Sequence, residues 1–366
     1  MAIVEKRTTY LKKVRMGGTK MLNKMKALLA ATAVTGVIAF TCNGTAQAAS
    51  QELIDAAKKE GKVVWYTALV VNQVVRPLAE AFQAKYGIKV EFVSALWQEQ
   101  ALRMINEGKT GKVQGDIFDG PPAFEQVYAA GFVEPYLIPS AADYPAAYKD
   151  PKGLWTAHSL QPTGIAVNTD LVQEKDYPTS YEDLLDPKWK GRMAWTTSTS
   201  AGGPPGFIGM ILDHMGEEKG MEYLRKLAKQ DIINVPSNQR VVLDKAVAGE
   251  VPLVLSVYNY HIPISQAKGA PIKWIKIDPL SGHLGTFSLI KDAPHPNAAR
   301  LLLDFIMSEE GETIQARAGY IPAHPAVPSE DPSLKPEGNY TFSGIAPDRM
   351  MVEGPRWVKI YRELFE

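Results

Sequence analysis

The chain has 366 residues, 45% of them hydrophobic, and its 40 basic and 40 acidic residues give a formal net charge of zero. Eight basic residues and one acidic residue precede position 49, so the remainder carries 32 basic and 39 acidic residues, a net charge of −7. This acidic balance, with no basic run interleaved with aromatic residues, argues against nucleic-acid binding. The length is sufficient for one large or two medium domains with a sizeable core.

The first residues are typical of an export signal. Two lysines precede an apolar run at 27–40, and the motif Ala-Gln-Ala ends at Ala48. A basic start, a short apolar run and a small-x-small cleavage motif predict that residues 1–48 are a secretory signal peptide. Met21 is an alternative start codon, because the residues before it form an unusual basic extension.

Cys42 is the only cysteine of the chain. Cleavage after Ala48 would remove it, and the exported protein would then have no disulfide, no thiolate metal ligand and no cysteine nucleophile. Cleavage and lipidation at Cys42 itself is the second alternative, although Phe40 and Thr41 suit that signal poorly.

Helix and strand patterns alternate in the first part of the exported chain. The predicted helices are 51–61, 74–86 and 98–107, and the predicted strands are 62–67, 88–93 and 116–119. This alternation predicts an α/β fold with parallel strands, whose ligands gather at the carboxyl ends of the strands. Thr67, Ala68, Asp119 and Gly120 fall at such ends. Asp119 could bind a cationic group or a ligand hydroxyl, with a helix cap or turn as the alternative role.

Two segments are predicted to cross between lobes. Residues 155–168 have β character but contain Pro162 and Gly164, which indicates a bend or crossing. Residues 285–290 are the second crossing candidate. The middle of the chain is thus predicted to be an α/β unit inserted between two parts of another, and a cleft between two lobes can bind a small ligand and close by hinge bending. The predicted division is 49–160 for the first part of lobe 1, 161–282 for lobe 2, and 283–366 for the second part of lobe 1 and the C-terminal helices.

The second part of the chain continues the alternation. The predicted strands are 192–196, 232–235, 251–258 and 272–277. The predicted helices are 207–212, 216–229, 238–248 with Ser237 as N-cap, one beginning at Pro296, 309–318 and 355–365.

A turn rich in hydroxyl groups joins strand 192–196 to the helical run 207–212. Five hydroxyl residues, 196–200, are followed by Ala201, Gly202 and Gly203. A strand that feeds a helix in this way leaves backbone N–H groups unpaired near the positive end of the helix dipole, which suits an anion. The alternative is an ordinary solvated cap and turn. No Gly-Lys-Ser/Thr sequence follows, which argues against a nucleotide P-loop.

Two tyrosines end strand 251–258 on the side of the predicted cleft. Tyr258 and Tyr260 could bind a metal or stack on an organic ligand, and packing between the lobes is the alternative for one of them. The six histidines show no metal-ligand spacing. His261 is the one nearest these tyrosines, and His283 near the second crossing is expected to be structural.

Several segments together resemble a known family. They are VVWYTA, GDIFDGPP, GIAVNTDLV, YPTSYEDLLDPKWKGRMAW, AGEVPLVL and APHPNAARLLLDFIMSEEGETIQARAGYIP. With them the exported chain resembles the family 1 extracellular solute-binding proteins, the periplasmic receptors of bacterial ABC importers. It is most similar to the subgroup of ferric-iron, phosphonate, sugar-phosphate, thiamine and polyamine receptors. The resemblance covers nearly all of residues 51–365 and implies a two-lobed type II periplasmic binding protein with two interdomain crossings.

The resemblance also implies binding residues. An anion would be bound by the hydroxyl and glycine turn together with an asparagine at a helix start, here Ser198, Thr199, Ser200, Ala201, Gly202 and Asn238. Iron binders of the subgroup add two adjacent tyrosines, but here Asn259 separates Tyr258 from Tyr260. The histidine that iron binders commonly carry after the first strand is missing from residues 67–70. Both departures count against iron(III), which prefers several hard anionic oxygen ligands.

The sequence therefore predicts a monomeric periplasmic receptor, not an enzyme, with no cofactor. It would bind a small organic anion, such as a phosphonate, phosphate ester or carboxylate, and deliver it to an ABC permease in the inner membrane. The first alternative is iron(III) with a synergistic anion, bound by Tyr258 and Tyr260, and a thiamine-like or amine ligand is the next. An exported hydrolase or transferase on the same fold is a further alternative, but the chain has neither a Gly-x-Ser-x-Gly nor a His-Glu-x-x-His motif.

Overall fold

The structure, a computed structural model, describes residues 49–366, so the predicted signal peptide, Met21 and Cys42 lie outside the described residues. The helices are α1 Gln51–Glu60, α2 Arg76–Tyr86, α3 Trp97–Thr110, α4 Pro121–Ala129, α5 Pro204–Met215, α6 Glu217–Ala228, α7 Gln239–Val247, α8 His261–Gln266, α9 Pro296–Ile306, α10 Glu309–Arg317 and α11 Pro347–Phe365. The strands are β1 Lys62–Thr67, β2 Lys89–Ser94, β3 Ile117–Asp119, β4 Val133–Glu134, β5 Thr156–Asn168, β6 Met193–Thr196, β7 Ile233–Val235, β8 Leu253–Tyr258, β9 Ile272–Ile275, β10 Leu280–Ile290, β11 Ile321–Pro322 and β12 Phe342–Ile345. In residues 49–366 we find no helix with the length and apolar character that spanning a membrane requires.

The strands form one sheet with the order β2-β1-β3-β10-β5-β8-β6-β7. At one end β1 pairs in parallel with β2 and β3, and at the other end β6 pairs in parallel with β7 and β8, as the alternation of strands and helices predicts. In the middle, β5 and β10 pair antiparallel with each other, and β3 and β8 pair antiparallel with them. The expectation of parallel strands is therefore wrong for the two long central strands.

Two groups of buried apolar residues lie at the two ends of this sheet. The first core comes from residues 57–160 and 284–323. The second comes from residues 165–277 and 345–361, in two clusters. Strands β5 and β10 run from one core to the other, and every residue of both strands is buried. These are the two predicted crossings, although β10 begins at Leu280, earlier than the predicted range 285–290. The boundaries at residues 160 and 283 stay a prediction, which the two cores support.

The last helix differs from its prediction in both start and packing. It begins at Pro347 instead of Pro355, because Pro347 occupies its first turn, where the missing N–H costs nothing, and Pro355 lies inside the helix. Strand β12 pairs with β10 and leads the chain back to the second core. Trp357 is buried there against Gly209 of α5, where an added Cβ would lie 2.7 Å from the indole ring. The terminal helix thus packs mainly on the second core, although its position in the chain groups it with the predicted second part of lobe 1.

Candidate functional site

The turn between β6 and α5 is folded by its own hydroxyl groups. Thr196 Oγ1 accepts a hydrogen bond from the Ser198 N–H at 3.0 Å and donates to the Ser237 carbonyl. Ser198 Oγ and Ser200 Oγ lie 3.0 Å apart, and the Gly203 N–H donates to the Ser200 carbonyl at 3.0 Å. The hydroxyls of Ser198 and Ser200 therefore lie side by side on a closed loop, which is the geometry expected of a site for a ligand oxygen.

Two consecutive residues of this turn are buried, and their N–H groups make no hydrogen bond within residues 49–366. These residues are Ala201 and Gly202. The helix itself adds few donors, because its first two residues, Pro204 and Pro205, have no N–H. Buried backbone N–H groups almost always have a partner. A ligand with acceptor oxygens would supply it here.

The ring of Tyr258 packs directly on this turn. A Cβ atom at Gly202 would lie 1.9 Å from the Tyr258 hydroxyl oxygen, so only glycine leaves room for the phenol. Gln239 Nε2 donates to the Gly202 carbonyl at 2.9 Å and fixes the turn beside the phenol. On its other side the Tyr258 hydroxyl lies 3.2 Å from His283 Nδ1. The structure thus brings the predicted turn and the predicted tyrosine into contact.

Three tyrosine rings form a parallel series, which we call the tyrosine stack and define as Tyr258, Tyr260 and Tyr320. The centroids of Tyr258 and Tyr260 are 5.4 Å apart with an interplanar angle of 10°, and those of Tyr260 and Tyr320 are 6.4 Å apart with an angle of 8°. Tyr320 packs against the first core, whereas Tyr258 belongs to a strand of the second. The tyrosine stack therefore joins the two halves of the molecule at the end of β8.

The phenols of Tyr258 and Tyr260 and the imidazoles of His261 and His283 are neutral at neutral pH. Burial raises the pKa of Tyr258 well above its ordinary value and that of Tyr260 to about 12. Burial also lowers the pKa values of His261 and His283 to about 4. His261 contacts the stack edge-on, with its ring centroid 4.6 Å from that of Tyr260. Phenols and neutral imidazoles can donate hydrogen bonds to a ligand without a competing charge of their own.

The candidate residues of the first strands are engaged in local contacts. Asp119 is fully buried, and its carboxylate accepts hydrogen bonds from Trp65 Nε1 at 3.0 Å and from the Ala68 N–H at 3.1 Å. Burial raises its pKa to about 6. Thr67 Oγ1 accepts from the Leu69 N–H at 3.0 Å. These bonds give Thr67, Ala68 and Asp119 a role in the shape of the loop after β1.

Gly120 and Asn238 also serve the fold. Gly120 adopts a φ of 97° and lies against the indole of Trp97, whose Nε1 would be 2.3 Å from an added Cβ. Asn238 is the N-cap of α7, and its side chain accepts from the Val241 N–H at 3.1 Å. Ser237 was expected to cap this helix, and that expectation is wrong because the helix starts one residue later. The Asn238 oxygen is therefore committed to the helix.

The sequence analysis did not predict three residues of the candidate site: it passed over Tyr320 and Gln239, and it expected His283 to be structural. Tyr320, His283 and Gln239 all lie within contact distance of the tyrosine stack or the turn. Tyr320 follows a helix and a glycine with no pattern of its own, so only the pairing of β11 with β5 brings it to the site. Gln239 follows Asn238, which was predicted as a binding residue. The helix start at Asn238 was therefore the one sequence signal that could have indicated Gln239.

The arrangement offers few ligands for a metal ion. In the part of the chain that the structure describes, no group of three or more His, Cys, Asp or Glu side chains could bind one. Tyr258 and Tyr260 would have to lose their protons against raised pKa values before they could bind iron(III) as phenolates.

Comparison with known proteins agrees with this architecture. A family model described as "Bacterial extracellular solute-binding protein" matches residues 114–346. The Fe(3+)-binding periplasmic protein of Serratia marcescens is 25% identical over 270 residues, which cover 71% of this chain and 77% of that protein.

Solved structures are similar over most of the chain. Iron-bound HitA from Pseudomonas aeruginosa matches with a TM-score of 0.67 and 21% identity over 83% of this chain and 99% of its own. AfuA from Actinobacillus pleuropneumoniae, with exogenous fructose-6-phosphate bound, matches with a TM-score of 0.65 and 22% identity over 83% of this chain and 98% of its own. The predicted fold class, an α/β two-lobed periplasmic binding protein, is confirmed, and its sheet is mixed.

Proposed function

Because the chain belongs to the bacterial extracellular solute-binding protein family, as the resemblance predicted, we propose that it is the monomeric receptor of an ABC importer. The family consists of binding proteins, not enzymes. In this proposal residues 1–48 direct export to the periplasm and are removed. The two lobes close on a small solute between them, and the closed form delivers that solute to a permease in the inner membrane.

We propose further that the solute is a small organic anion, such as a phosphonate, a phosphate ester or a carboxylate. The observation that carries this proposal is that the buried residues Ala201 and Gly202 have N–H groups without a hydrogen-bond partner within residues 49–366, beside the hydroxyls of Ser198, Ser200 and Tyr258. A buried donor without a partner costs about 1–3 kcal/mol, whereas a hydrogen bond to a charged group contributes about 1.5–3 kcal/mol. An anion bound at the turn would remove the cost of the unpaired donors and add the free energy of the new hydrogen bonds.

The tyrosine stack would contact the organic part of the solute. Tyr258 and Tyr260 come from the second lobe and Tyr320 from the first, so a ligand against the stack would touch both lobes at once. A ligand that makes more contacts with the closed conformation than with the open one shifts the equilibrium toward the closed conformation. The five turn residues, Tyr258, Tyr260 and Tyr320 are therefore the binding residues that we propose.

Thr67, Ala68, Asp119, Gly120 and Asn238 enter this proposal as supports of the site. The Ala68 N–H, Thr67 Oγ1 and Asn238 Oδ1 make hydrogen bonds within the fold, so we propose that these residues position the loop after β1 and the start of α7.

Iron(III) with a synergistic anion is the second candidate. The parallel placement of Tyr258 and Tyr260 favours it, and so does the name of the Serratia marcescens relative. In that case the same turn would bind the anion and the two phenols would ionise on the metal. We rank it second because Asn259 separates the two tyrosines and residues 67–70 contain no histidine, whereas iron(III) prefers several hard anionic oxygen ligands.

Calorimetric titration of the protein without its signal peptide tests the proposal. We would titrate inorganic phosphate, a set of phosphonates, phosphate esters and carboxylates, and ferric citrate. We expect an organic anion to bind, and Ser200→Ala to weaken its binding because one donor of the turn is lost. Ser333→Ala, at an exposed serine outside the site, is the control. Binding of ferric citrate alone, or equal affinity in Ser200→Ala, would reject the anion proposal.

A further inference from the structure

One residue of β8 has an unusual backbone for its type. Ser256 has a φ of 56°, in the left-handed region that favours glycine, although it lies in a fully buried strand. The pairing of β5 with β8 shifts register here, since Gly164 faces Val257 and Ala166 faces Val254. Leu255 and Ser256 together therefore oppose one residue of β5. This is a β-bulge, of the kind that occurs next to binding sites and redirects the side chains that follow.

The same residue has a polar group without a partner. Ser256 is 4% exposed, and its Oγ has no hydrogen-bond partner within residues 49–366. It lines a small cavity together with Thr163 of β5 and Ser281 of β10. Thr163 Oγ1 and Ser281 Oγ lie 2.8 Å apart. Hydroxyl-bearing residues from the strand that carries Tyr258 and from both crossing strands thus line one cavity, whose other walls are mostly apolar.

We propose that this cavity is a binding site for an ordered water molecule, which bridges Ser256 Oγ to the Thr163–Ser281 pair. Buried hydroxyls in proteins are nearly always hydrogen-bonded, and a buried water needs two to four polar partners, which these three side chains supply. A residue with a strained backbone persists only where the surrounding structure stabilises it, and such residues cluster at functional sites. The water connects β8, two residues before Tyr258, to both strands about which the lobes bend.

A bridge through water suits this location. A direct side-chain bond from Ser256 to a crossing strand would fix one distance between β8 and the hinge. A water molecule can keep its bonds while the strands shift by a small amount, because it reorients as its partners move. The site therefore lets β5 and β10 bend while the bulge that directs Tyr258 stays in place. This inference does not depend on the identity of the solute.

Two experiments test the proposed water site: thermal unfolding of three variants, and a crystal structure of the unmodified protein. Ser256→Ala removes a partner of the water but keeps the left-handed backbone, so we expect its Tm to fall by about 1–3 °C. Ser256→Gly also relieves the backbone strain, so its Tm should lie above that of Ser256→Ala. Thr286→Val is the matched control, because Thr286 Oγ1 is another buried hydroxyl without a partner and does not line this cavity. Its Tm should stay the same or rise.

A rise in Tm for Ser256→Ala, in parallel with Thr286→Val, would mean that the Ser256 hydroxyl is simply unsatisfied and would overturn the proposal. A crystal structure of the unmodified protein tests the water site independently of whether the variants fold. Electron density for a water within hydrogen-bond distance of Ser256 Oγ and of Thr163 Oγ1 or Ser281 Oγ supports the site. A dry cavity, or a Ser256 side chain bonded to protein atoms, rejects it.

Discussion

Replacing Gly202 by alanine should block solute binding more than it harms the fold. The backbone of Gly202 is not in the left-handed region, so alanine meets no strain there, and the effect is steric. The new methyl group would lie 1.9 Å from the Tyr258 hydroxyl oxygen and 2.7 Å from Cζ, so the phenol must move away from the turn and from His283. Forcing one methyl into a packed site costs about 1–3 kcal/mol of stability.

The loss in binding can be worked from the same contact. A displaced phenol removes at least one hydrogen bond to a charged ligand, about 1.5–3 kcal/mol, which corresponds to about a 10- to 150-fold rise in Kd. Titration calorimetry measures it with the anion that the unmodified protein binds. Gly209→Ala is the matched control, because its methyl group would meet the Trp357 ring at 2.7 Å in the second core, away from the turn. If both variants lose similar stability and both keep the original Kd, the turn and Tyr258 are not the anion site.

Three further outcomes are expected. Tyr320→Ala should raise Kd because it removes the first lobe's ring from the tyrosine stack, a contact worth about 0.5–1.5 kcal/mol, whereas Tyr320→Phe should bind almost as the original; equal calorimetric Kd values for both would exclude a role for the ring. The contribution of His283 to stability should be lost as the pH is lowered from about 6.5 to about 4, because burial lowers the pKa of His283 to about 4 and the unfolded state binds its proton first; His283→Gln should therefore reduce the slope of Tm against pH in this window, and an unchanged slope would contradict a buried, neutral His283. Trp357→Ala should cost about 3–5 kcal/mol in urea unfolding, since this indole fills the second core, and a loss below about 1 kcal/mol would show that the terminal helix is dispensable to that core.

Local patterns were sufficient for most elements of the fold. Strand β1 has the predicted bounds Lys62–Thr67, because a short run of β-branched and aromatic residues after a helix that ends in glycine favours a strand. The antiparallel pairing of β5 with β10 could not be read from local sequence, since the two strands are far apart in the chain and only the closing of the sheet joins them. The start of α11 was missed for a similar reason. Pro355 looks like a helix start, but the packing of Trp357 on Gly209 holds the helix together through it.

Part of the proposed site could be predicted from a local sequence pattern. Hydroxyl and small residues between a strand and a helix pointed to the turn at 198–202 and to its unpaired N–H groups. The same reasoning could not tell that the carboxylate of Asp119 is occupied by Trp65 and Ala68, because those bonds depend on how three segments meet. Nor could it place Tyr320 beside Tyr260, a contact between residues of different lobes.

Native mass spectrometry of the protein purified from the periplasm of the cells that produce it tests the central claim most directly. The claim is that the turn at 198–202 binds a small organic anion. We expect an excess mass that matches such an anion, that is lost on denaturation, and that is absent from the Gly202→Ala protein but present in Gly209→Ala. An excess mass of iron with a small inorganic anion, lost on acidification, would contradict the claim and make Tyr258 and Tyr260 metal ligands.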